Sequence, residues 1–470
     1  MNEHQQLQEL VRVSNLQKHE SNRVWKLMHE QGFEAAQAYI ASVAKPAEPT
    51  SQAVDIRPEP IPYGIWGADQ IEEGAHEQMR NSARLPITLA GALMPDAHQG
   101  YGLPIGGVLA TDNVVIPYAV GVDIACRMML TVYEADPALL DRGSKAGRLQ
   151  DALMENTVFG AGPDGLHEGK IEHEVLDADK WAALPILREL RQTGIRQIGT
   201  SGTGNHFVEW CNFSVTDANN PLGLKIGNYL ALLSHSGSRG VGYKIASYYS
   251  ELAMKLMPGL PQSVKHLAWL SLDSEPGQEY WHAMELAGEF ASANHHVIHE
   301  RVAHAVGLEP LATVENHHNF AWKEIIKVDG EKREAIVHRK GATPAGAGVL
   351  GIIPGSMGDA GYVIAGKGSW AALNSASHGA GRQMSRSQAK KRITPKDQKE
   401  YLKKSGVTLL GGGLDESPQA YKRIEQVIAA QADLVQIIGR LQPRIVRMAD
   451  DTPHWKKKTM PAGIEDAESD

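Results

Sequence analysis

Asn374-Ser375-Ala376-Ser377-His378-Gly379-Ala380-Gly381-Arg382-Gln383-Met384-Ser385-Arg386 sets one histidine against two glycines and two arginines. Glycine lets a backbone approach a ligand closely, and N–H groups exposed at a turn or helix start hold phosphate oxygens. The stretch therefore reads as a phosphate cradle beside a reactive imidazole, which is chemistry of phosphoryl or nucleotidyl transfer. Gly-Ala-Gly also occurs in ordinary tight turns, so the rest of the chain must decide between the two. These glycines form one of five clusters, at 99–107, 199–204, 237–242, 341–368 and 379–381, in a chain with 47 glycines. Between the clusters lie short apolar runs such as Leu89 to Met94, Val114 to Val122 and Leu230 to Leu233. Short runs punctuated by Gly-rich turns predict an α+β, mixed α/β body whose loops carry the function.

Composition bounds the classes. The chain has 470 residues, 42% hydrophobic and 22% charged, enough for one large or two ordinary soluble domains. No window approaches the roughly 18 uninterrupted apolar residues of a membrane span, and the start lacks the pattern of a secretory signal. A cytoplasmic protein is expected, with no membrane partner. Two cysteines, Cys126 and Cys211, fit a reducing compartment, where a free thiol serves as ligand or nucleophile. A net charge of −8 argues against indiscriminate nucleic-acid binding, though not against a local basic cleft.

Residues 5–43 carry apolar side chains at helical spacing and predict one or two amphipathic helices, a helical N-terminal extension over 1–44. Five prolines between Pro46 and Pro62 make 45–62 a linker. The main domain is expected over 63–448, with helices near 278–305 and 418–440 and a disordered polar tail over 449–470.

Several segments pair a potential ligand with glycines or a strand end. They are Pro95-Asp96-Ala97-His98 with its following glycines; Asp123-Ile124-Ala125-Cys126; Gly204-Asn205-His206-Phe207-Val208-Glu209; Ser234-His235-Ser236-Gly237; and Glu315-Asn316-His317-His318-Asn319. One thiolate, one carboxylate and several histidines suit a divalent transition ion, with ligand softness alone favouring zinc. Taken singly, each histidine reads more readily as a satisfied core residue than as a ligand. His295 and His299 have metal-pair spacing but no acidic partner, so they and neighbouring His296 and His304 read as a solvated helix face. Cys211 reads as a core thiol.

Five motifs together resemble the RtcB family of RNA-splicing ligases: Pro-Asp-x-His-x-Gly-Tyr-Gly-x-Pro-Ile-Gly-Gly, Asp-x-x-Cys, Gly-Asn-His-Phe-x-Glu, His-x-Gly-Ser-Arg-Gly and Ser-His-Gly-Ala-Gly-Arg. They run in family order between about Leu85 and Tyr421. The resemblance implies a single large domain with a central metal cleft, and dependence on GTP and two manganese ions. It implies that Asp123, Cys126, His206, His235 and His318 hold the metals, with the Cys126 thiolate bridging. His318 is preferred to His317 because the family's ligand immediately precedes an asparagine. It further implies that His378 attacks the α-phosphate of GTP, giving a histidine–GMP intermediate, with Asp96 orienting the imidazole. Asn205, Glu209, Ser356, Gly379, Ala380, Gly381, Arg382 and Tyr421 match positions that contact the guanylate. Arg239, Arg339, Lys340 and Arg386 would hold phosphates of the nucleotide or RNA.

The implied reaction joins an RNA 3′-phosphate or 2′,3′-cyclic phosphate to a 5′-hydroxyl through an RNA-3′-pp-G end, in RNA repair or tRNA splicing. An archease-like activating protein is the implied protein partner. One departure stands out: the family's C-terminal lysine is missing, and Arg447 is the cation nearest its expected place. That departure suggests a divergent paralogue. It keeps open a metal-dependent phosphohydrolase or cyclic phosphodiesterase, or a non-catalytic RNA-binding relative.

Overall fold

The computed structural model describes residues 6, 7, 11, 18–43, 53–141, 143–161, 166, 167 and 171–450. The chain divides into two compact units, Met1–Val54 with Lys255–Pro261, and Asp55–Met254 with Gln262–Asp470. In the first, α1 (Lys18–Gln31) and α2 (Phe33–Val43) pack together, and Gly32 at φ 88° makes the turn between them. Val24, Leu27, Ala36 and Ile40 recur at helical spacing and bury a small apolar cluster with Leu7. The Pro-rich stretch holds no helix or strand over 53–62, while the polar tail beyond Asp450 lies outside the described residues.

The second unit is α+β. Its main strands are β1 (Gly64–Ile65), β2 (Thr88–His98), β3 (Ile105–Thr111), β4 (Arg127–Tyr133), β5 (Phe207–Val215), β6 (Gly227–Ser236), β7 (Pro310–His317), β8 (Asn319–Val328), β9 (Glu331–Lys340), β10 (Leu350–Ile353), β11 (Gly361–Gly366) and β12 (Val435–Met448). One sheet runs β1-β2-β3-β9-β8; the larger runs β10-β11-β12-β5-β6-β4-β7. Asn316 on β7 accepts the Ile352 N–H of β10 at 2.9 Å, so the two ends of the larger sheet meet and it nearly closes on itself. β4 is apolar along most of its length because both faces are buried. Met128, Leu130 and Val132 pack with Cys211 and Phe213 on one side, whereas Tyr133, Trp210 and Leu232 pack under Ile298 and Val302 on the other.

Those last two residues belong to α4 (Glu275–Val306), where the helical spacing predicted one. Ser274 caps its start by accepting the Gly277 N–H, and Gly307 at φ 69° ends it. The solvated-face reading fails for two of its histidines. His295 and His299 are buried, both hydrogen-bonded to Ser234 on β6, whereas His304 is exposed. The helix expected over 418–440 is also corrected. Only Ile424–Ala429 is α-helical, and Val435 onward is a fourteen-residue strand in the middle of the larger sheet. No helix among the described residues is long and apolar enough to cross a membrane.

Candidate active site

Strand register gathers the proposed metal ligands at one end of the larger sheet. Phe207 pairs with His235, and Arg127 pairs with both Ser236 and His317. Cys126, His206, His235 and His318 thus sit at neighbouring strand ends although they are scattered through the sequence. Asp123 joins them through a tight turn in which Ala125 has φ 58°, a conformation a β-carbon disfavours. Asn319 holds that turn: its carbonyl accepts the Ala125 N–H at 2.7 Å, and its side-chain amide donates to Asp123 O at 3.2 Å. Gly237 makes room for the carboxylate, since a β-carbon there would lie 2.2 Å from both Asp123 oxygens.

Two ligand triads share one sulfur. Asp123, Cys126 and His206 form one; Cys126, His235 and His318 form the other, each with ligand atoms within 4.8 Å of one another. Cys126 Sγ lies 3.5 Å from His206 Nε2 and 3.1 Å from His235 Nε2, and His235 Nε2 lies 3.4 Å from His318 Nε2. His206 donates through Nδ1 to Ser201 O at 2.8 Å and His235 to Asn205 O at 3.2 Å, which turns both Nε2 lone pairs inward. Asp123 Oδ2 sits 3.1 Å from His206 Nε2 yet is not aligned as a hydrogen bond, as expected of two ligands converging on a shared ion. Burial, then Asp123, pushes the Cys126 thiol well up; a bound divalent cation reverses that preference. Burial also pulls His235 down to about 3, leaving the neutral imidazole a metal requires. The residues fit a dinuclear, thiolate-bridged centre. The structure brings His318 to it; His317 instead stacks on Trp322.

His378 faces this centre, its ring centroid 4.9 Å from that of His318. It donates Nδ1–H to Asp96 Oδ2 at 2.7 Å, which fixes the tautomer and leaves the Nε2 lone pair free. The same oxygen accepts the N–H groups of His378 and Gly379 at 3.1 and 3.3 Å. Two amides of the expected phosphate cradle are therefore spent on a protein carboxylate. Gly381, at φ 73°, packs its backbone onto Asp96, where a β-carbon would fall 2.0 Å from Asp96 O. Burial alone would raise Asp96, but the hydrogen bond from His378 and the charge of Lys422 hold its carboxyl below the usual range. Lys422 also donates to Pro95 O and Ala97 O, at 3.0 and 2.8 Å, and so clamps the strand that carries Asp96.

A pocket opens beside His378, lined by Asn205, Glu209, Ser356, Gly379, Ala380, Gly381, Arg382 and Tyr421 among others. Arg382 lies over the Tyr421 ring at 5.1 Å, and both side chains reach Glu416. Burial would raise Glu416; Arg386 and Arg382 outweigh it and hold its carboxyl at about 2. Burial also pushes the Glu209 carboxyl well above its usual range.

The proposed phosphate-holding cations separate. Arg239 is buried beside the ligands, with Nη2 lacking a hydrogen-bond partner, and its charge favours the ionised Asp123. Lys340 donates to Tyr101 O at 2.9 Å. Arg339 is paired with Glu324 through both terminal nitrogens, at 2.7 and 2.9 Å, and Arg386 is paired with Asp415 and Glu416. Arg447 turns away, donating to the last turn of α3 (Gly143–Asn156) and covering Phe159, while its neighbour Met448 lines the cavity. Asn319, Lys422 and Glu416 escaped the sequence reading. Asn319 alone left a signal, as the residue following His318.

Two triads of potential metal ligands thus share Cys126 and face His378, which is held by the buried Asp96. The family model described as "tRNA-splicing ligase RtcB" matches residues 78–449, and the chain belongs to the RtcB family. The chain is 34% identical over 413 residues to the RNA-splicing ligase RtcB of Escherichia coli (strain K12), covering 82% of this chain and 96% of that protein. The tRNA-splicing ligase RtcB of Thermococcus kodakarensis is 32% identical over 459 residues, covering 82% and 94%. The RNA-splicing ligase RtcB of Mycobacterium bovis is 34% identical over 429 residues, covering 78% and 98%.

Proposed function

We propose that the protein is a GTP- and manganese-dependent ligase joining RNA 3′-phosphate or 2′,3′-cyclic phosphate ends to 5′-hydroxyl ends. The 2.7 Å bond from His378 to Asp96, beside two triads of potential metal ligands and a pocket, is the observation that carries it. His378 Nε2 attacks the α-phosphorus of GTP; a P–N bond forms, the α–β phosphoanhydride breaks, and pyrophosphate leaves. Asp96 stabilises the cationic character that the imidazole gains. An RNA 3′-phosphate oxygen then takes the GMP from His378, and the 5′-hydroxyl attacks the activated 3′-phosphorus and expels GMP, its proton passing to solvent. A cyclic end is first opened by water. Two manganese ions, held by Asp123, Cys126 and His206 and by Cys126, His235 and His318, supply charge neutralisation at the phosphates. Asn205, Glu209, Ser356 and the 379–382 loop hold the guanylate, with Tyr421 stacking on the base.

A metal-dependent phosphohydrolase is the second reading, favoured by the absence of a lysine from the cavity lining among the described residues. A broken RNA hairpin with 3′-phosphate and 5′-hydroxyl ends, incubated with manganese and GTP, separates the two. The ligase reseals it only when GTP is present. A hydrolase releases inorganic phosphate with or without GTP.

A further inference from the structure

Two consecutive helices carry positive charge that neither the metal centre nor the cavity uses. α5 (Arg386–Arg392) and α6 (Pro395–Ser405) fall in a stretch, 386–404, where eight lysines and arginines stand against two carboxylates, in a chain of net charge −8. Arg386 and Lys390 turn to Asp415, and Asp397 is occupied in capping α6 by accepting from Thr394. The other six cations, Lys391, Arg392, Lys396, Lys399, Lys403 and Lys404, are exposed. Lys396, Lys399 and Lys403 follow i, i+3, i+7 spacing and form one stripe along α6. Glu400 lies 3.9 Å from Lys396 at the surface, a weak pair. A solvated face ordinarily mixes signs, because like charges four residues apart, as at Lys399 and Lys403, destabilise a helix.

The stripe adjoins the active site. On the opposite face of α6, Tyr401 donates to Asp359 at 2.5 Å and Gln398 donates to Ser417 at 2.9 Å; Asp359 lines the cavity. One helix, about 10 Å across, therefore separates the cations from a residue that lines the pocket. Resting on the ligase reading above, we propose that the outer face of α5 and α6 binds the phosphodiester backbone of the RNA whose 3′-phosphate enters the cavity.

The test uses the full chain and a Lys396→Gln/Lys399→Gln/Lys403→Gln variant, with Lys391→Gln/Arg392→Gln as an independent second. Affinity is measured by fluorescence anisotropy for an RNA of about 20 nucleotides ending in a 3′-phosphate, across a range of salt, and for a dinucleotide too short to cross the helix. The triple variant should raise Kd for the long RNA about tenfold and lower the slope of log K against log salt by about 2, at 0.7–0.9 per phosphate contact. Binding of the dinucleotide and GMP labelling of His378 should match the wild type. Unchanged affinity and slope for the long RNA in both variants would overturn the proposal, as would an equal loss on both RNAs. Failure of the wild type to take label would count against the ligase reading instead, leaving the RNA-binding result readable.

Discussion

Asp96 contacts the His378 segment three times, once at the His378 ring and twice at backbone amides, so it sets both the tautomer and the turn. Asp96→Asn keeps the shape but exchanges the acceptor for a neutral amide. GMP labelling should slow by about 100-fold or more while thermal unfolding stays close to wild type; a rapid-quench time course measures the first and calorimetry the second. Arg386 belongs to a different class. Because it neutralises the buried Glu416 and Asp415, Arg386→Met should lower stability by about 3 kcal/mol in urea unfolding. At this scale His206, His235 and His378 stood out because glycine-rich motifs flank them, and His318 because an asparagine follows it. Lys422 and Glu416 were not: each matters only because folding brings it to Asp96 or Arg382, and nothing local in the sequence encodes that meeting.

The elements were legible where burial is one-sided. α1, α2 and α4 advertise an apolar stripe, and β2 and β6 contain the short apolar runs. β12 was misread because Val435–Met448 is central in its sheet, where strand pairing overrides a pattern that also fits a helix. The histidines of α4 were misread because their partners, Ser234 and Thr131, lie on other strands. Burial holds His299 at about 3 and His338 at about 4, below the roughly 6.5 of an unfolded chain. The unfolded chain therefore binds more protons below about pH 6.5, so this stability is complete above that pH and is lost as pH falls toward 3–4. Each imidazole contributes up to about 1.4 kcal/mol per pH unit, and urea midpoints at about pH 7.5 and about pH 5.5 should differ accordingly.

Across the whole molecule, the larger sheet acts as a frame that gathers five potential ligand residues at one place, and the Ser377–Gly379 turn brings His378 beside them. Cys126 belongs to both triads, so Cys126→Ser should reduce bound manganese from two ions per chain to one or none, read by elemental analysis after dialysis. At the C-terminal end Arg447 is committed to α3, and its neighbour Met448 lines the pocket beside His378. Incubation with manganese and α-labelled GTP tests the central claim most directly. The account predicts one acid-labile GMP per chain on the wild type and none on His378→Ala; label persisting in that variant, or absent from the wild type with every divalent metal supplied, would contradict it.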